Sequence, residues 1–141
     1  MRVFNMWVVA RPADDLPDQW VAHCLDLDVV TQGTSFEHVI EMVKEASLMV
    51  VCDDLAAGKE PTLRRAPDEC WAEMRQIVTT GKPVSMDLLS RVPRANFGSV
   101  AVQLELSVDL GHAVRGHDHK EPSFNMPLVF ERPTPPEIHP C

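Results

Sequence analysis

Between Gly33 and Gly58 the chain places apolar residues at Phe36, Val39, Ile40, Val43, Ala46, Met49 and Val50. That spacing belongs to an amphipathic helix with a single buried stripe. Thr34-x-x-Glu37 at its head reads as a capping box. In that motif the Thr34 hydroxyl accepts from the Glu37 amide, and the Glu37 carboxylate reaches back to the Thr34 amide. Glu37, Glu41, Lys44, Glu45 and Asp54 fall largely on the other side, and Gly58 is a natural C-terminal stop.

The residues before this helix read as three strands. Residues 3–10, VFNMWVVA, are β-branched and aromatic on both parities, as in a strand covered on both faces or central in a sheet. Residues 11–18 hold two prolines and three aspartates, a turn region. Gln19–Leu25 gives a second strand, antiparallel to the first because the loop is short. Asp26-Leu27-Asp28 is a tight turn and Val29–Gln32 a third strand, completing a three-stranded meander against which the helix packs.

Pro67 followed by Asp68 and Glu69 starts a second helix, since Pro needs no amide partner there and acids favour the positive helix end. Trp71, Met74, Ile77 and Val78 form its stripe, and Gly81 with Pro83 ends it. Residues 83–95 are irregular, with one packed turn suggested by Met86, Leu88 and Leu89. Val100, Val102, Leu104, Leu106 and Val108 then alternate with Ala101, Gln103, Glu105, Ser107 and Asp109, a strand half open to water. We expect it as an edge of the first sheet, or paired with its counterpart in a second subunit. From Leu110 the pattern dissolves, and six of the twelve prolines lie at or after Pro122. Extended segments lying on another surface suit such a tail better than helix or central strand. The reading is an α+β domain over 1–109 with a Pro/His-rich tail over 110–141.

A chain of 141 residues suits one core, and 45% hydrophobic with 24% charged residues is a globular rather than a disordered composition. No apolar run approaches the roughly 20 residues of a membrane-spanning helix, and Met1–Trp7 lacks the pattern of a secretory signal. The expectation is a cytoplasmic protein. Cys24, Cys52, Cys70 and Cys141 are widely spaced with no C-x-x-C pair, which favours reduced, packing cysteines. The net charge of −8 is concentrated in residues 1–60, where 4 Lys/Arg face 11 Asp/Glu. Such a half repels phosphates and suits a basic partner, so direct DNA binding is disfavoured.

Residues 20–37 carry an aromatic-x-Ala-x-Cys strand (Trp20, Ala22, Cys24), a Leu-containing turn (Leu25 to Asp28), Thr31-x-Gly33, and a capped helix with Glu37 near its start. In this order and spacing they resemble the signature of the HicB-like antitoxin family, and the resemblance covers about residues 3–61. It implies a β-β-β-α-β domain like a reduced ribonuclease H fold, without nuclease activity or cofactor, assembled as a dimer or tetramer. It further implies a small, basic, RNA-cleaving toxin of the HicA type as partner. The candidate contact residues for a basic partner are Trp20, His23, Asp26, Asp28, Glu37, Glu41 and Glu45. The alternative is a stand-alone homo-oligomeric scaffold that reuses the fold without a toxin. The turn here lacks the Pro that many members carry. Residues 62–141 resemble neither the helix-turn-helix nor the ribbon-helix-helix segment with which members bind DNA.

A two-metal nuclease needs converging carboxylates, one of them in the middle of the first strand, and that strand offers Asn5 and no acid. His112, His117, His119 and His139 could hold zinc or nickel at His-x-His spacing, but Gly111 and Gly116 flank a stretch that reads as a solvated loop. His23 and Cys24 are adjacent in a strand, so they point to opposite faces and cannot form a nucleophilic pair. Cys24 should pack as a small apolar group, and Trp7 and Trp71 read as core.

Overall fold

In the computed structural model, residues 2–15, 18–83, 98–108 and 129–132 are described. The elements run β1 (Arg2–Pro12), β2 (Trp20–Cys24), β3 (Val29–Gly33), α1 (Phe36–Ala56), a 3-10 turn (Pro61–Arg64), α2 (Asp68–Thr80), β4 (Lys82–Pro83), β5 (Ser99–Val108) and β6 (Val129–Arg132). The fold is α+β. One antiparallel sheet takes the order β3-β2-β1-β5-β6-β4, with four longer strands and two short ones at one side.

The meander forms as the pattern predicts, with Val8 opposite Cys24 in β1–β2 and Ala22 opposite Thr31 in β2–β3. β5 is not the edge strand expected. It lies between β1 and β6, paired with β1 from Arg2↔Val108 to Ala10↔Val100. The alternation of Val100–Val108 reports which faces of the strand are covered, whereas an edge is a matter of backbone pairing in the plane. A strand can therefore be half open to water and still central. β6 falls within the stretch read as an extended tail, and it pairs with Ser99–Val102 of β5. The remainder of the tail, its four histidines and the packed turn expected at Met86–Leu89 lie outside the described residues.

The two helices cover opposite faces of the sheet. Phe4, Met6, Val8 and Ala10 of β1, Trp20, Ala22 and Cys24 of β2, and the even-numbered residues of β5 form one core with Phe36, Val39, Ile40, Val43 and Val51 of α1. On the other face Val9, Leu25 and Ala101 pack with Ala66 and with Cys70, Met74 and Ile77 of α2, and Trp7, Trp71 and Val78 border them. β1 is thus covered on both faces only at Val8–Ala10, while Val3 and Asn5 stay exposed.

The start of α1 differs from the predicted capping box by one residue. Ser35 is the N-cap, and its Oγ accepts from the His38 amide at 3.0 Å. The Thr34 amide donates to Nδ1 of His38, also at 3.0 Å, the return bond that Glu37 was expected to make. The shift makes Phe36 the first helical residue and sets it under Trp20, ring centroids 5.3 Å apart at 71°. The other end is a Schellman turn: Lys59 donates to Asp54 O, Gly58 donates to Leu55 O, and Gly58 takes φ +77°.

The buried stripe of α1 is Phe36, Val39, Ile40, Val43, Ser47, Val51 and Asp54. Met49, expected inside, is 62% exposed, and Asp54, expected outside, is buried. Asp54 is held by Arg64 of the 3-10 turn through Nε–Oδ2 at 2.7 Å and Nη2–Oδ1 at 2.9 Å. That hydrogen-bonded guanidinium holds the Asp54 carboxyl below the usual carboxylate range. Cys24 and Cys52 are free, but Cys70 is disulfide-bonded, against the expectation of reduced cysteines throughout. No described helix is long and apolar enough to cross a membrane.

Candidate partner-binding site

The seven residues named from the sequence fall in three separate places. Trp20 sits in the core at 3% exposure, edge-on to Phe36, and presents no surface to a partner. His23 and Asp28 lie on the face of the sheet opposite α1, with Asp26 in the turn between β2 and β3. Glu37, Glu41 and Glu45 lie on the outer side of α1. The sheet separates the last two groups, so they cannot form one contact surface.

Around His23 the strands build a shallow cleft of about 70 Å³ lined by Val9, Arg11, Val21, His23, Leu25, Val30 and Glu73. Most of its polar groups are already engaged, although Arg11 Nε is buried without a hydrogen-bond partner among the described residues. His23 Nε2 meets Asp28 Oδ1 at 2.8 Å, and Arg11 Nη2 lies 2.8 Å from both carboxylate oxygens of Glu73 on α2. Asp28 reaches back to His23 from a left-handed turn position, φ +57°, which Asp tolerates better than most residues. The cleft has room for a side-chain tip or for water, far short of the 300 Å³ or so at which small-molecule sites begin. Cys24 points to the other face, where burial pushes its thiol up to about 11, and it is inert at neutral pH. Among the described residues no group of three His, Cys, Asp or Glu side chains is arranged to hold a metal ion.

Asp26 has a structural task. Its Oδ1 accepts from the Trp7 amide at 2.8 Å, closing the sheet edge of β1 just beyond its pairing with β2. Desolvation raises its pKa above the ordinary carboxylate range, and the Trp7 hydrogen bond and the charge of Arg65 offset part of that rise. The native state therefore holds this proton to higher pH than the unfolded chain does. The group's contribution to stability is full below the ordinary carboxylate range and falls as pH rises through the raised value. Asp26→Asn keeps an oxygen for the Trp7 amide and removes the buried charge. Urea midpoints of wild type and Asp26→Asn should differ least at the acid end and separate in the variant's favour as the pH rises to neutral. Asp26→Ala leaves the amide unpaired and should cost about 1–3 kcal/mol. A wild type that gains on Asp26→Asn with rising pH contradicts this account.

The outer side of α1 is the larger surface. Glu37, Glu41, Glu45, Met49 and Asp53 follow one another at four-residue intervals, all exposed, with the 36%-exposed Met42 beside them. The four acids make no ion pair among the described residues. Like charges four apart on a helix repel by roughly 0.2–0.5 kcal/mol per pair, so the row is maintained at a small cost in stability. The sequence reading found the three glutamates and missed Met42, Met49 and Asp53. Counting 100° per residue from Glu37 puts Met49 and Asp53 on the same outer arc, a signal that the apolar character of Met49 masks when it is assigned to the stripe.

No family model, curated protein or solved structure matches this chain.

Proposed function

We propose that the protein is a non-enzymatic binding module that occupies a small basic protein partner, in the manner of a HicB-like antitoxin. The observation that carries this reading is the row Glu37, Glu41, Glu45, Met49 and Asp53 on the outside of α1. Four carboxylates that make no ion pair among the described residues supply attraction and register, and Met49 with Met42 supplies flexible apolar contact that adapts to its counterpart. The residues matching the HicB-like pattern, together with the β-β-β-α order of β1 to α1, suggest the partner class: a compact, basic, RNA-cleaving toxin.

Co-expression of the full chain with the products of neighbouring small reading frames tests the proposal. A small basic protein should co-purify, be released as salt rises, and lose its toxicity to the host while bound. Glu41→Lys with Glu45→Lys should weaken that binding tenfold or more and leave the thermal midpoint of the free protein unchanged or slightly higher. Failure to recover any basic protein, or a charge-reversed variant that binds as well as wild type, sinks the reading.

A further inference from the structure

Among the described residues the two sides of the sheet are finished differently. One ends in β4, two residues long and consisting of Lys82 and Pro83, the kind of short, charged, proline-blocked edge that discourages further pairing. The other ends in β3, Val29-Val30-Thr31-Gln32-Gly33, which has no charge and no proline. Val30 is 60% exposed there, and the Thr31 hydroxyl is buried without a hydrogen-bond partner among the described residues.

Among the described residues nothing pairs with that edge, and the backbone groups it presents can be identified. Leu25 donates its amide to the Trp7 carbonyl at 2.8 Å, so Leu25 points its backbone at β1. Alternation along β2 then points Cys24, Ala22 and Trp20 at β3. Their partners Val29, Thr31 and Gly33 use their backbone groups inside the sheet, which leaves those of Val30 and Gln32 facing outward.

We infer that β3 pairs with β3 of a second copy of this chain, antiparallel about a two-fold axis through Thr31. In that register Val30 and Gln32 of one copy form the hydrogen-bonded pairs with Gln32 and Val30 of the other, so all four outward-facing residues find partners. Thr31 falls opposite itself at the non-hydrogen-bonded position, where side chains come closest. Rotation about χ1 brings each unpartnered Thr31 hydroxyl to its mate. A second copy is the occupant that fits because the strand is complementary to itself in this register. Its contact strip is also uncharged in a chain of net charge −8, so like charges are not forced together across the paired strands. The interface lies at the sheet edge and is separate from the acidic row on α1, so it stands whether or not the basic partner is found. Five-residue strands bury far less than the roughly 800 Å² per partner of a standard interface, so the dimer should be concentration-dependent.

Sedimentation of the full chain from micromolar to millimolar concentration reads this directly. Wild type should move from one chain to two. Val30→Lys places two lysines diagonally across the axis, and Gln32→Pro removes an outward amide that β2 does not use. Each should raise the midpoint concentration at least tenfold. Circular dichroism of Val30→Lys, an exposed position, should show an unchanged melt, so that a lost dimer is not mistaken for a lost fold. A wild type that stays monomeric at millimolar concentration overturns the inference, whether the edge is unoccupied or meant for a foreign strand. So does a dimer that both variants form as readily as wild type.

Discussion

Phe36→Ala is expected to lower the stability of the fold by about 3–5 kcal/mol, the range for removing a fully buried aromatic side chain. Phe36 is 1% exposed and opens α1, and its ring meets Trp20 edge-to-face. A contact of that geometry adds about 0.5–1.5 kcal/mol beyond burial alone. The space it leaves cannot easily close. Trp20 is pinned by its backbone between Pro12 and Gly33, and the start of α1 is pinned by the Ser35 cap. At roughly 2–8 °C per kcal/mol for domains that bracket this size, the melting midpoint should drop by about 6 °C or more. Phe36→Leu, which fills much of the space, should lose far less. If Phe36→Ala melts within a few degrees of the half-exposed control Val3→Ala, the pair does not anchor the helix as argued.

The second large effect is expected at Gly33. A Cβ there would stand 2.7 Å from both the Cα and the N of Val39, and 3.0 Å from its Cβ. The obstacle is the backbone of the first turn of α1, which no rotamer change can move. Gly33→Ala must push the helix off β3, at a cost of about 3 kcal/mol, the upper end of what overpacking usually takes. Gly58→Ala is the contrast. That glycine has φ +77° and nothing within 4 Å of the added carbon, so only the left-handed backbone penalty of roughly 1–2 kcal/mol applies. Urea unfolding of the two variants should rank Gly33→Ala clearly below Gly58→Ala. Equal losses would falsify the close-approach argument.

These two residues show how much of the fold the sequence discloses. Gly33 and Phe36 stand out in the linear pattern as a strand stop and the first apolar residue of a helix, and the structure adds the reason they must adjoin. Periodicity located β1 to α1, α2 and β5 because one-sided burial leaves a mark at every second or every third to fourth residue. It could not place β5 in the middle of the sheet, since neighbours in the plane leave no mark on side-chain alternation. It put Asp54 outside because the partner that makes its burial tolerable, Arg64, comes ten residues later in an element with no periodicity of its own. The candidate site was legible only in part. Local spacing identifies the glutamates of α1, but whether His23 and Glu41 share a face depends on which side of the sheet each element packs. The sequence names both residues without saying that they lie on opposite sides.

β1 carries a consequence for how the chain reaches this state. Its two neighbours are separated widely in sequence: β2 follows at once, but β5 meets β1 residues roughly a hundred positions away, as Arg2 does with Val108. A chain leaving the ribosome can assemble β1, β2, β3 and α1 within its first sixty or so residues. It must then hold one side of β1 unpaired, and the lower part of the α1 core uncovered, until β5 emerges. Non-local pairing of this kind slows folding and exposes apolar surface while it waits. A nascent chain interrupted before Ser99 should therefore be sticky and strand-seeking along β1, and folding of the complete chain should be limited by the arrival of a strand that lies more than two-thirds of the way along it.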